Sequence, residues 1–293
     1  MILSRGKCGL SKGVTRYLVG MAASDLLVLL FDLILRQIPI AYRDYFTFLR
    51  AIRICNLHAI VLHTATDCSV WFTVTFTFDR FVAICCQKLK TKYCTERTAA
   101  VVLGTVSVLS SLKNITWYFM LTAEYSLAYA RWFCMPRVQL VESQVWGAIE
   151  LLHYILTPVV PFILVLLLNA LTIRHVLVAS RARKRLRDTS NRENPRDPEM
   201  ESRRKSLILL LVISGNFILL WALFTVFYLW NRLRVLNSVP TFPPRSMQEL
   251  CFMLQLLSCC TNTALYAVTQ TPFREQLKEV IRYPFTMLRK CTM

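Results

Sequence analysis

Five acidic side chains lie inside long apolar stretches of this 293-residue chain: Asp25, Asp32, Asp67, Asp79 and Glu150. A charge in hydrocarbon costs on the order of 2.5–3.5 kcal/mol by insertion scales, so each of these groups implies a partner or a task. Asp79 has Arg80 beside it, and Lys113 and Arg174 are the other basic residues within such stretches. His63 and Asp67 stand one helical turn apart and share a face. With His153 they could ligate a metal ion, or they could hydrogen-bond to one another. No nucleophile–base pairing, metal motif or phosphate loop rises above background, so an enzyme is not expected.

Most of the eleven cysteines, including Cys68, Cys251, Cys259 and Cys260, lie within apolar runs, where a free thiol behaves as a small hydrophobe. No Cys-x-x-Cys pair occurs, which argues against structural zinc.

The elements that must position these groups are long apolar helices. Hydrophobic residues make up 55% of the chain and charged residues 18%, below the roughly 25% of soluble domains. Six stretches are long enough to cross a bilayer, which takes about 20 helical residues. They run approximately 17–35, 54–84, 99–122, 145–179, 207–230 and 250–269. Their apolar character is continuous and not alternating, which favours helices over barrel strands.

The charge of +18 reflects basic connections between the stretches, so nucleic acid is not needed as a partner. Of the 35 Lys and Arg residues, 23 fall in residues 1–16, 85–98, 180–206 and 270–293. Nine fall in residues 36–53, 123–144 and 231–249, on the opposite side. The positive-inside tendency predicts that the richer side, with both chain ends, is cytoplasmic. Residues 181–205, with many charges and two prolines, read as a mobile cytoplasmic loop whose basic flanks could extend the adjoining helices.

Cys55 opens the second stretch, and Asp79-Arg80-Phe81 closes it 24 to 26 residues later. At 1.5 Å per residue, Cys55 and Arg80 are about 37 Å apart along a helix, one at each surface. This resembles the third helix of a rhodopsin-like (class A) G-protein-coupled receptor. Other segments follow that family in order. Leu18–Leu27 with Asp25 resembles its second helix, Pro161 with Asn169 its fifth, Phe217 to Trp221 its sixth, and Asn262-Thr-Ala-Leu-Tyr266 its seventh. Residues 271–278 resemble its short amphipathic eighth helix in the tail 270–293. The run NTALYAVTQTPFRE is similar to orphan receptors of the G-protein-coupled receptor 139 type, which are linked to aromatic amino acids and peptide-like ligands. Thr263 and Leu223 stand where the family has prolines, and Arg203 stands where many members have an acid.

The resemblance implies an all-α membrane protein: a single seven-transmembrane receptor domain over residues 1–293, represented by helices two to seven and the eighth. Residues 1–16 look like the end of helix one running into the first cytoplasmic loop, so the chain is expected to be truncated or incompletely predicted. The implied partners are a lipid bilayer, a heterotrimeric G protein, and an extracellular small-molecule or peptide ligand. The implied location is the plasma membrane, with several passes and a cytoplasmic carboxyl terminus.

The same resemblance assigns residues. Asp79, Arg80, Asn169 and Tyr266 would engage the G protein. Asp25, Ser69, Ser258 and Asn262 would hold an allosteric sodium ion, or hydrogen-bond among themselves and water; no other cofactor is expected. Arg36, Leu62, His63, Thr66, Glu150, His153, Thr157, Trp221, Phe224, Tyr228, Gln248 and Phe252 would face the ligand cavity. Leu62 stands where amine receptors carry an aspartate, and Arg36, Glu150 and the histidines suit a zwitterion or a peptide end. Val70, Pro161, Phe217 and Trp221 would repack between the two sites. Cys55 and Cys134 would form the disulfide that pins the second external loop. Asn114-Ile-Thr116 is a glycosylation sequon placed too deep in a span to be modified, and Cys291 is a weak palmitoylation candidate. The competing expectations are a six-span transporter or channel, and a receptor fragment that does not signal.

Overall fold

In the computed structural model, residues 11–127, 133–137, 144–188, 198–236, 245–269, 274–275 and 278 are described. The expected eighth helix and tail lie almost entirely outside these residues, as does Cys291. The side chains of Arg203, Asn262, Thr263 and Tyr266 are outside them too.

Among the described residues the chain forms seven α-helical elements, a short 3-10 helix at Thr47–Ala51 and a two-stranded hairpin. The first four α-helical elements are α1 (Lys12–Ala41), α2 (Cys55–Cys85), the short α3 (Gln87–Tyr93) and α4 (Glu96–Met120). Next come β1 (Leu121–Tyr125) and β2 (Cys134–Pro136). Helix α5 is built from Gln144–Tyr154, Ile155–Val159 and Val160–Asp188, and is followed by α6 (Pro198–Leu236) and α7 (Arg245–Thr269). Among the described residues, α1, α2, α4 and stretches of α5 and α6 are long and apolar enough to cross a membrane. Helix α7, with 25 residues, has the length for it, but glutamines, serines and threonines dilute its apolar character.

Helix α2 is the axis. It buries residues on every side, from Cys55 and Ala59 to Val82 and Ile84, as a helix surrounded by others must. One apolar cluster joins Tyr17, Leu18, Met21, Phe72, Phe76, Ala99, Leu209 and Ile213 at the end of α2 near Asp79. A second joins Cys55, Leu62, Trp117, Leu121, Phe133 and Trp146 at the other end. Large hydrophobics such as Leu26, Val101, Leu109, Leu219 and Val226 are exposed on the outer faces, which suits contact with lipid tails.

Local sequence explains several boundaries. Ser11 caps α1 by accepting from the Val14 amide, and Thr95 caps α4 by accepting from the Thr98 amide at 3.1 Å. Within α1, Leu29–Gln37 widens to π geometry just before Pro39, whose ring and missing N–H prevent regular helix at the preceding turn. Helix α5 breaks at Thr157 (φ −150°, ψ 104°), immediately before Pro158. The proline expected to mark this helix, Pro161, lies in regular helix beyond the break.

The connections differ from expectation at one span end, and one helix was not foreseen. The third span, expected over about 99–122, ends at Met120, because Leu121 starts the hairpin. Of the segment 181–205, whose basic flanks were expected to extend the adjoining helices, the residues up to Asp188 and from Pro198 are helical, and proline suits a first helical turn. Residues 189–197 lie outside the described residues. Helix α3, between the second and fourth helices, had no periodicity long enough to announce it.

Candidate functional site

The two ends of α2 carry different chemistry. At its first residue, Cys55 is joined to Cys134 of β2 by a disulfide spanning 79 residues of sequence. This ties the hairpin across that end of the bundle. His58, one turn further along, extends the tie: its ring nitrogens lie 3.2 Å from the Tyr125 hydroxyl and 2.8 Å from the Phe31 carbonyl.

Below the hairpin is a cavity of about 60 Å³. Ten of the residues expected at the cavity line it: Arg36, Leu62, His63, Thr66, His153, Thr157, Trp221, Phe224, Tyr228 and Phe252. Asp32, Tyr154 and Gln255 also line it, and were not foreseen. Glu150 and Gln248 are not among the lining residues. Glu150 is buried and accepts from the indole N–H of Trp146, one turn away on α5, at 3.1 Å.

The aromatic wall comes mainly from α5 and α6. Tyr154 stacks on Tyr228 with centroids 5.0 Å apart, and Phe224 lies 4.4 Å from Tyr228. Offset and edge contacts of this kind add to simple burial. Trp221 sits at the base, 5.6 Å from Phe217. Val70, Phe217 and Trp221 therefore meet in one buried cluster, which Phe162 joins; Pro161 is buried next to it in sequence.

The polar wall comes from α1. Arg36 Nε lies 2.6 Å from Asp32 Oδ1, an i,i+4 pair on the π-widened turn, and both side chains are nearly buried. The Arg36 guanidinium also lies 4.8 Å from the Phe252 ring centre and 5.7 Å from that of Phe133. The spacing of Asp32 and Arg36 was visible in the sequence and is the signal by which this pair could have been found.

Behind the cavity, α2, α4 and α5 are joined by a buried polar network. Lys113 Nζ lies 2.6 Å from Asp67 Oδ2 and donates to Thr157 Oγ1 at 3.2 Å. Asn114 donates to the same Asp67 oxygen at 2.6 Å and accepts from Trp117 Nε1 at 3.1 Å. His63 stacks on Trp117 at 4.8 Å and meets His153 edge-on at 5.2 Å. Asp67 is thus turned to Lys113 and Asn114, and no metal-holding group of three His, Cys, Asp or Glu residues occurs among the described residues. The role of Lys113 was missed by sequence reasoning.

Deeper along α2, Ser69 donates to Asp25 Oδ1 at 2.5 Å, with Ser258 buried on α7. The Asp25 carboxylate and the Ser69 hydroxyl are hard oxygens of the sort a sodium ion accepts. At the far end of α2, Asp79 pairs with Arg80 through the guanidinium, and Arg80 Nη1 donates to Ser206 of α6 at 3.4 Å. Ser206 is the described contact from α6; the side chain of Arg203 lies outside the described residues. Asn169 is buried with no donor on its Oδ1.

Cys94, in the connection after α3, donates to the Asp79 carbonyl at 3.4 Å. Burial, reinforced by the Asp79 charge, pushes its thiol up to about 11.

Comparisons with known proteins converge on one family. A family model described as "7 transmembrane receptor (rhodopsin family)" matches residues 2–266. The chain is also similar to mouse (Mus musculus) G-protein coupled receptor 39, with 29% identity over 118 residues. That match takes in 40% of this chain and 26% of the receptor, so it spans about a quarter of that relative's length.

Proposed function

Because the chain belongs to the rhodopsin family of seven-transmembrane receptors, we propose that it converts binding of an extracellular ligand into activation of a heterotrimeric G protein. The observation that carries this reading is the double-ended character of α2. One end bears the disulfide-tethered hairpin and contributes Leu62, His63 and Thr66 to the cavity. The other presents Asp79 and Arg80 against α6. A ligand that favours one arrangement of the Val70–Phe217–Trp221 cluster over another would shift α6 relative to α2.

The ligand is small or peptide-like and carries an aromatic group, for which the rings of Tyr154, Phe224, Tyr228 and Phe252 form the wall. The likeness of residues 262–275 to receptors of the G-protein-coupled receptor 139 type supports an aromatic amino acid as the starting point. In the G-protein cleft, Asn169 and Tyr266 act with Asp79 and Arg80. Asp25, Ser69, Ser258 and Asn262 hold a sodium ion that supplies charge compensation in the bundle interior. The protein lies in the plasma membrane with its carboxyl terminus in the cytosol.

The test is nucleotide exchange on a panel of G proteins, measured for the full chain in membranes with aromatic amino acids and short aromatic peptides. Ligand-stimulated exchange is expected, and Arg80→Ala should reduce it about ten- to hundredfold, the worth of one charged hydrogen bond. Equal exchange by wild type and Arg80→Ala, or none with any G protein, would overturn the reading.

A further inference from the structure

Helix α3 carries a surface that the receptor reading leaves unused. Its seven residues, Gln87–Tyr93, join the end of α2 to the start of α4, and both neighbours are long and apolar enough to cross a membrane. We propose that α3 is an interfacial anchor lying on the bilayer at the Arg80 end of the bundle. Leu89 and Tyr93 enter the acyl region, and the lysines of α3 hold the headgroups of anionic phospholipids. This rests on the spanning helices alone and requires neither the ligand nor the G protein.

The order of side chains around the helix carries the argument. Successive residues turn by about 100°, so Leu89 and Tyr93 form one ridge. They are 45% and 47% exposed, and α3 buries none of its residues. Lys88 and Lys92 run along one flank of the ridge and Lys90 along the other, each roughly 80–100° around from it. Gln87 and Thr91 take the opposite side. An apolar ridge between two rows of cations suits a helix lying in a membrane surface. The ridge sinks below the headgroups, while long basic side chains reach back up to them from both flanks.

Charge points to the kind of lipid. Residues 81–95 contain three lysines and no acid. The next acid, Glu96, is already paired with Arg16 at 2.8 Å. Among the described residues, Lys88, Lys90 and Lys92 have no ion-pair partner, and an anionic headgroup supplies one.

The ends of α3 fix its depth. The Cys86 amide donates to the Val82 carbonyl and the Cys94 amide to the Lys90 carbonyl, both at 2.9 Å. The Cys94 thiol reaches the Asp79 carbonyl on α2. Beside it, Gly13 of α1 packs so closely that a Cβ there would stand 3.3 Å from the Thr95 carbonyl oxygen. These contacts hold α3 at the level where α2 and α4 leave the hydrocarbon.

The experiment uses the purified full chain in nanodiscs of phosphatidylcholine, alone or mixed with phosphatidylserine. Hydrogen–deuterium exchange of the α3 amides is followed by mass spectrometry. Exchange is expected to be at least about fivefold slower with phosphatidylserine, the worth of a single lysine near an anionic surface. High salt should erase the difference, because exposed charges are screened. An anionic surface also lowers the local pH, which slows exchange whatever the side chains, so wild type is compared with the Lys88→Gln, Lys90→Gln, Lys92→Gln triple variant. The triple variant should lose the extra protection. Leu89→Gln, which keeps a good helix former, should be less protected than wild type in both lipids. Equal exchange of wild type in the two lipids, an equal phosphatidylserine effect in wild type and triple variant, or an effect that survives high salt would overturn the proposal. So would unchanged protection in Leu89→Gln, or protection that arises only when a G protein is added. Should the triple variant fail to fold, the salt response of wild type still decides the matter.

Discussion

Lys113 Nζ and Asp67 Oδ2 lie 2.6 Å apart, with the carboxylate side chain 1% exposed, and this ion pair fastens α4 to α2. Because Lys113 also donates to Thr157, the same ammonium reaches the turn where α5 loses helical geometry. Removing one partner of a buried pair costs about 3–5 kcal/mol, whereas removing both costs much less. Thermal unfolding in detergent should therefore rank Asp67→Asn and Lys113→Met each well below wild type, with the double variant above the Lys113→Met single variant. A Lys113→Met protein as stable as wild type would show that the pair contributes nothing.

Asn114 heads a glycosylation sequon, yet its side chain is fully buried, donating to Asp67 and accepting from Trp117. No glycan fits there. Protein made in a glycosylating cell should show no mass change attributable to Asn114 on endoglycosidase treatment. Asn114→Gln should lower stability by roughly 1–3 kcal/mol through the displaced hydrogen bonds.

The short Ser69–Asp25 contact joins α2 to α1 in the bundle interior. If these oxygens hold sodium, raising sodium at constant ionic strength, with potassium or choline as the balance, should raise the unfolding temperature. Binding only to the folded form stabilises by about 1.4 kcal/mol when the ion stands near ten times its dissociation constant. In Asp25→Asn this dependence should vanish. Sodium sensitivity equal in both proteins would remove the ion from Asp25.

Cys94 offers a pH-dependent readout outside the spans. Only the thiolate reacts with iodoacetamide, and a thiol pushed up to about 11 has roughly a hundredth of the thiolate of an ordinary cysteine at neutral pH. Its labelling, followed by mass spectrometry, should climb about tenfold per pH unit up to pH 10. Asp79→Asn removes one of the causes and should speed labelling at pH 8. A rate that levels off below pH 9 would contradict the assigned environment.

Some of the site was legible because it depends on position along the chain. Cys55 and Arg80 stand at opposite ends of α2 because a helix advances by a constant rise. The pairing of Lys113 with Asp67 was also within reach. Asp67 lies 18 residues before Cys85, and Lys113 lies 17 after Glu96, so both sit about 26 Å from the ends of their helices near Asp79. Equal depth and opposite charge made them candidates. Depth does not say which way a side chain faces, however, and the two helices first had to be known as neighbours.

The amino-acid sequence alone determined the helical spans, the family and the clustering of charge, since hydropathy, spacing and motif order are properties of one strand of chain. It also named most of the residues around the cavity. Only the tertiary structure decided what those residues can still do. Arg36 looked like a free cation until Asp32 and two aromatic rings were found around it. Gln255 drew no notice until the packed helices placed it on the cavity wall. Hydrogen-bonding capacity is what remains after neighbours have taken their share, and those neighbours are set by the rotation and register of packed helices, which no single segment encodes.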